Sequence, residues 1–417
     1  MRTVLFNAGP IVSFCGAASR AFDSDILPDG LALIIDGNEI IDIKDSELIV
    51  DEYSIPTSGS IQGDVASHNL NGNAVVPGLV DAHTHLLWSG DRSPEVRQRR
   101  EGLTYAEIAA SGGGIQSTVS ATRAASDEDL FRDGYVRLRE AMRTGTTYLE
   151  AKSGYGLTVK DELRLLDITQ RLDRIAELPS LHPTWMGAHD VPKGKTKEEY
   201  MHELLSEQLP AVAEQGIARS ADVFCEPGWF DLDESDDLLR ASQNAGLGLR
   251  MHVDEFAKGG GGELAATLRV ETADHAYHTP MNTRKAMAAN DVMTGFLPGT
   301  PYAMGDAWPD MNSMAEEGIP YSLATDFNPN CQTLSLPFMM SLMVQRCGVH
   351  PLEALRATTV NAAKSTPHAT GRPHGCIVEG GVANLNIVDG PNWEAVTLRP
   401  TGTPFCATIL EGQFISH

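Results

Sequence analysis

Nowhere in its 417 residues does the chain hold the roughly 18 to 20 consecutive apolar residues that a membrane-spanning helix needs. The opening MRTVLFNAGPIVSF has one Arg, and Asn7 and Pro10 interrupt its apolar run, so it reads as a β-strand rather than a secretory signal. Paired cysteines are missing too. Cys15, Cys225, Cys331, Cys347, Cys376 and Cys406 stand apart with no CxxC, which excludes a disulfide framework and predicts reduced thiols in a cytoplasmic protein. Lysine is scarce, at nine against 23 arginines, and 56 acidic residues bring the net charge to −24. A nucleic-acid partner is thereby excluded, because phosphate contacts need clustered cations. The one dense basic patch, Arg97-Gln98-Arg99-Arg100, reads as a solvated helix face. The acidic surplus fits solubility in a high-salt cytoplasm, which a stability curve flat from low to molar salt would contradict. Phosphate loops are absent as well. The glycines at 112–114 and 259–262 match neither GxxxxGK[ST] nor GxGxxG after a strand, and read as tight turns or places of close backbone approach.

What is present is an ordinary globular composition, 42% hydrophobic and 21% charged, in a chain long enough for one large domain and a smaller one. Residues 1–75 hold short apolar strands separated by turn signals such as Asp36-Gly37-Asn38, and 370–417 return to that character. The two ends together predict a small β-sandwich domain. From 76 to 369, strand-like runs alternate with helical patterns, which predicts an α/β fold of the (β/α)8 TIM-barrel type. His83, His85, Lys152, His189, Glu226, His252, His275 and Asp326 each close an apolar run, and the strand ends of such barrels carry the active site. The Met-rich FMMSLM at 338–343 reads as helix core.

His83 and His85 are two residues apart on a strand, so both project to one face and suit one divalent cation. A lone HxH also fits an ordinary strand end. His252, His275 and Asp326, at later strand ends, turn the pair into three histidines and a carboxylate with a position left for water. Glu255, three residues beyond His252, fits two readings equally: a proton carrier beside the metal, or a carboxylate favoured at a helix N-terminus. Tyr155, between Gly154 and Gly156, sits on a permissive loop at the barrel mouth or on the exposed surface.

The string PGLVDAHTH, followed by single His, His and Asp at later strand ends, resembles the amidohydrolase superfamily, and HxxE at 252–255 resembles its mononuclear branch. Longer strings resemble the imidazolonepropionase family within it: HTHLLWSGDR, TYAEIAASGGGIQSTVSATRAAS, AKSGYGL, GAHDVP, DVFCEPG, HVDEF, TADH and TDFNPN. The resemblance implies one metal ion per chain, Zn or Fe, held by His83, His85, His252 and Asp326. It implies that Arg92 pairs with a propionate carboxylate, which a guanidinium fork binds bidentately. Tyr105, Tyr155, His189 and Asn328 would bind the rest of a small-molecule substrate, with Glu255, His275 and Asp326 acting at the scissile ring amide. A homodimer, free of membrane and nucleic acid, is implied as well. Asn330 and Cys331 depart from the Gly and Ser/Thr that often follow DFNP, which puts substrate affinity at those two binding positions in question.

The reaction so implied is hydrolysis of 4-imidazolone-5-propanoate to N-formimino-L-glutamate by a metal-activated water. A deaminase of the same branch is the rival; a nucleobase offers Arg92 no carboxylate, so Arg92→Ala would spare it. A barrel kept only as a binding scaffold is the other rival, and a protein that takes up no metal would favour it.

Overall fold

Eight apolar runs in the middle of the chain form parallel strands. They are β1 (Leu79–Asp81), β2 (Thr146–Lys152), β3 (Ser180–Ala188), β4 (Ser220–Cys225), β5 (Gly248–Val253), β6 (Thr272–His275), β7 (Met293–Phe296) and β8 (Tyr321–Leu323). This is a computed structural model, and it describes residues 2–14, 25–56, 58–62, 64–104, 107–108, 111–305, 308 and 310–417. Each strand pairs with the next in chain order, and every pair is parallel. The barrel closes just beyond the ends of β1 and β8. There Thr84 bridges Phe327, and the His85 N–H donates to the Phe327 carbonyl at 2.8 Å. The Thr325 N–H and hydroxyl fasten the same seam, donating to the Asp81 carboxylate at 3.0 and 2.7 Å.

Parallel neighbours require long crossovers, and helices supply them. Their starts are written in capping residues: Ser126 caps Asp127–Arg143, Thr158 caps Val159–Asp173, and Asp231 with Glu234 forms a capping box on Leu232–Asn244. Leu130, Leu138, Leu165, Leu172, Leu238 and Leu239 turn from these helices onto Leu149, Ala151, Leu181, Val223 and Met251, the outward residues of the strands. The Met-rich segment lies in helix Leu336–Cys347 and buries Met339, Met340 and Met343. No helix among the described residues is long and apolar enough to cross a membrane.

The inward positions carry charge. Glu150, Lys152, Asp222, Arg250 and Asp274 are all buried inside the barrel. Lys152 Nζ bonds Glu150 at 2.8 Å and Asp222 at 2.5 Å, and Arg250 Nε lies 2.7 Å from Glu150. Arg250 Nη2 and Nη1 donate to the carbonyls of Ala82 and Ser365 at 2.7 and 2.6 Å. A lone charge here would cost several kcal/mol, so Glu150, Lys152, Asp222 and Arg250 are each tied to an opposite one.

Both chain ends build the two further sheets. Five strands run in the order Glu39–Asp45, Leu31–Asp36, Arg2–Phe6, Val65–Asn69, Ser60–Gln62. Six more run Gln413–Ser416, Phe405–Leu410, Leu385–Val388, Val75–Pro77, Ile11–Val12, Ile26–Leu27. Leu5, Leu33 and Ile35 of the first sheet pack with Ile11, Val75, Leu385, Ile387 and Ile409 of the second in one apolar cluster, as the faces of a sandwich do. The chain passes from sandwich to barrel at Gly78, between Val75–Pro77 and β1. A Cβ there would lie 2.2 Å from Thr147 Oγ1, so only glycine allows the strand to run this close to β2.

Candidate metal centre and active site

His83 and His85 leave the end of β1, His252 is the penultimate residue of β5, His275 ends β6, and Asp326 follows β8. His275 (φ 65°) and Asp326 (φ 51°) both take the left-handed conformation, which costs a non-glycine residue about 1–3 kcal/mol. That cost is carried where the two side chains turn into the barrel mouth. One donor atom from each of His83, His252 and His275 lies within 4.8 Å of the others, and the same holds for His83, His85 and Asp326. His83 Nε2 stands 3.6 Å and His85 Nε2 3.9 Å from Asp326 Oδ1.

Carboxylates behind the histidines set their tautomers. His83 Nδ1 donates to Asp274 Oδ2 at 2.7 Å, and His252 Nδ1 to Asp222 Oδ1 at 2.9 Å. The lone pair of each ring then sits on Nε2. Thr300 does the same for Asp326, donating to Oδ2 at 2.6 Å and leaving Oδ1 toward the histidines. Burial, with the charge of Lys152 adding to it, holds the pKa values of His83, His85 and His275 well below the ordinary imidazole range. Neutral imidazoles are what a cation requires. Burial would raise the Asp222 carboxyl, yet Lys152 and His252 hold it well below the carboxylate range.

The fit to a metal rests on what the cluster leaves unsatisfied. His83 Nε2 and Asp326 Oδ1, 3.6 Å apart, are buried with no hydrogen-bond partner among the described residues. Buried polar atoms are ordinarily paired. A neutral nitrogen and a carboxylate oxygen left so, with His85 Nε2 3.9 Å from the same oxygen, are donors that suit a divalent or trivalent cation.

Above the cluster opens a cavity lined by His85, Arg92, Tyr155, His189, His252, Glu255, His275, Asp326, Asn328, Asn330 and Cys331 among others. Arg92 is buried, and Glu95 grips its guanidinium bidentately, Nε and Nη2 each at 2.9 Å. Glu95 Oε1 also accepts the Gly114 N–H at 2.9 Å, which is what the glycine cluster at 112–114 does. Tyr155 is 2% exposed, so its loop faces inward rather than out to solvent. Glu162 fastens that loop by accepting the N–H groups of Gly154, Gly156 and Leu157 at 3.0, 2.8 and 2.8 Å. His189 donates from Nδ1 to the Gly154 carbonyl at 2.9 Å, and burial lowers its pKa to about 3, so Nε2 offers a lone pair to the cavity. Asn328 Oδ1 accepts the N–H groups of Asn330 and Cys331, and Asn330 Oδ1 accepts from Arg99 at 3.4 Å. Burial pushes the Cys331 thiol up to about 12, which keeps it protonated. Tyr105 lies outside the described residues.

Glu255 Oε2 approaches His275 Nε2 to 3.6 Å. Its backbone N–H donates to Glu226 Oε1, and burial raises the Glu226 carboxyl to about 7. Several residues that build the site escaped the sequence reading: Asp222, Asp274, Glu95, Glu162 and Thr300. Asp222 and Asp274 carried a usable signal, since an Asp inside an apolar strand (SADVFC, TADH) must find a buried partner.

The chain is 36% identical over 413 residues to imidazolonepropionase of Haloarcula marismortui, covering 99% of this chain and 96% of that one. It is 37% identical over 421 residues to imidazolonepropionase of Solibacter usitatus, with 99% and 97% covered. To a probable imidazolonepropionase of Homo sapiens it is 35% identical over 404 residues, with 94% and 92% covered. No family model matches. Among solved structures, a triazine hydrolase superposes with a TM-score of 0.74 at 14% identity, over 99% of this chain and 94% of that one. A 5-methylcytosine deaminase from Klebsiella pneumoniae gives 0.70 at 17% identity, over 100% and 97%. These distant structures share the chain's barrel fold.

Proposed function

The chain belongs to the imidazolonepropionase family, and we propose that its barrel opens the ring amide of 4-imidazolone-5-propanoate, giving N-formimino-L-glutamate. The observation that carries this reading is that Arg92, Glu255 and the histidine–aspartate cluster line one cavity. A carboxylate anchor, a proton carrier and a water-activating centre are what hydrolysis of this amide needs.

His83, His85, His252 and Asp326 would hold Zn or Fe, which when bound supplies Lewis acidity that brings the pKa of water from about 16 toward 7. Arg92, kept in register by Glu95, pairs with the propionate. Its fork suits a carboxylate, and burial strengthens the pair. Tyr155 and His189 reach the ring, the histidine as an acceptor through Nε2. Asn328, with Asn330 and Cys331 beside it, closes the substrate's polar end, and Tyr105 joins the substrate-binding set.

Asp326 accepts the proton released when water adds to the ring carbonyl carbon. His275, held neutral by burial, orients that oxygen. As the carbon–nitrogen bond breaks, Glu255 in its acid form delivers its proton to the leaving ring nitrogen and takes back the proton of the new carboxylic acid, while Asp326 gives the water proton to solvent, so the ring opens to a carboxylate and a formimino group. The protein works as a cytoplasmic homodimer without nucleic acid or membrane. The charge of −24 supports the exclusion of nucleic acid.

Two measurements test this. Loss of the substrate's absorbance should require the metal, stopping with chelator and returning when Zn or Fe is restored, whichever the protein uses. Glu255→Gln should keep its metal and lose about 100- to 10,000-fold in turnover. Wild-type turnover in that variant removes Glu255 from the reaction.

A further inference from the structure

The segment that carries Glu255 is irregular. It leaves β5 through Asp254, which is left-handed at φ 49° and buried. Asp254 ties the far side of the loop, accepting the N–H groups of Gly259 and Gly260 at 2.8 and 3.1 Å and the Thr279 hydroxyl at 2.5 Å. The last β4–β5 pair is Cys225 with Val253, one residue short of where Glu255's segment turns away.

A side chain takes over at that point. Glu226, next after β4 and 2% exposed, accepts the Glu255 N–H through Oε1, and the Phe256 N–H bonds to the same carboxylate. Glu226 is itself fixed, its N–H on the Phe224 carbonyl at 3.2 Å and its carbonyl accepting from Trp229 at 2.9 Å. On the outer face Phe256, 40% exposed, leans on Trp229 and Phe224 at ring separations of 5.8 and 6.3 Å. The carboxylate grips the two peptide groups that bracket Glu255.

We propose that Glu226 is a positioning residue, a clamp that fixes the Glu255 backbone so that its carboxylate meets the leaving nitrogen. The inference rests on the proton-carrying role given to Glu255 above. A displacement near 1 Å at a proton carrier costs up to about 100-fold in rate while leaving substrate binding alone.

The test is a double-mutant cycle with metal content and thermal unfolding measured on every protein. Glu226→Ala should lower kcat by about 10- to 100-fold with KM and metal content near wild type. Glu226→Gln, which keeps an oxygen at the same reach, should retain most of kcat, whereas Glu226→Asp, one methylene short, should lose it. On a Glu255→Gln background, Glu226→Ala should reduce the residual rate less than about twofold, because the residue it positions no longer acts. A multiplicative loss in the double variant, beside a crippled Glu255→Gln, overturns the clamp alone. Wild-type turnover in Glu255→Gln overturns the role of Glu255 and the clamp with it. Should Glu226→Ala lose its metal or its fold, the Gln and Asp variants decide: an impaired Gln beside a normal Asp overturns the proposal.

Discussion

Replacing Asp222 by asparagine keeps the side chain's shape and removes one charge from beneath the candidate metal centre. Its oxygens serve different partners, Oδ1 accepting from His252 Nδ1 at 2.9 Å and Oδ2 from Lys152 Nζ at 2.5 Å. An amide has one acceptor oxygen and can satisfy only one of them. If the oxygen stays on Lys152, the NH2 group meets His252 Nδ1 and drives the ring proton to Nε2, the nitrogen needed by a cation. If it turns to His252, the NH2 group faces an ammonium. Either way one hydrogen bond to a charged group is lost, worth about 1.5–3 kcal/mol. Zinc affinity should fall about 10- to 100-fold, as it does when a histidine ligand loses its orienting carboxylate. The metal-free protein should lose about 2–3 kcal/mol of stability, less than the ~3–5 of a fully broken buried pair. The difference arises because Glu150 still holds Lys152 at 2.8 Å. Zinc competition against a chromophoric chelator reads the first effect and urea unfolding of metal-free protein the second. Unchanged zinc affinity beside lowered stability would refute the reasoning and reduce Asp222 to a partner of Lys152.

If Arg92 pairs with the propionate as proposed, Arg92→Ala should raise KM far more than it lowers kcat and cost about 100-fold in kcat/KM, the worth of a bidentate charged pair. Steady-state kinetics with an unchanged KM would detach Arg92 from the substrate. His374 sets a pH dependence away from the active site. Its Nε2 donates to the Thr366 carbonyl at 2.8 Å, and burial lowers its pKa from 6.5 to about 4. The unfolded ring takes up a proton near 6.5 and the folded one only near 4, so its contribution is full above 6.5 and is lost as pH falls through 4. Across that window this is about 3 kcal/mol. His374→Gln should flatten the acid limb of stability by that amount; denaturation midpoints at pH 7 and 4.5 that separate as widely as in wild type would contradict it.

Much of the site was legible because its chemistry stands where apolar runs end: His83, His85, His275 and Asp326 each mark such an end, and His252 stands one residue short of it. The barrel followed from the alternation of such runs with helical patterns. What stayed hidden is tertiary. VVPGLVDAH reads as one apolar segment, yet the structure divides it at Gly78 between two sheets, because pairing partners more than 300 residues away claim Val75–Pro77. Tyr155 could have faced solvent; nothing local says that Glu162, seven residues on, gathers three N–H groups and turns the loop inward. Arg92 announced a carboxylate, but sequence alone does not tell Glu95, three residues away and always present, from the substrate's own.

The charged barrel interior also acts on how the chain finds its pairing. β2 is buried along its whole length, and such a strand in a parallel sheet has little besides size to fix its register. Here Leu149 and Ala151 belong to the helix layer while Glu150 and Lys152 belong inside. A slip by one residue would drive both charges into that aliphatic layer, parting them from Asp222 and Arg250 at several kcal/mol each. The ion pairs thus work as a key that only one alignment of the strand can turn.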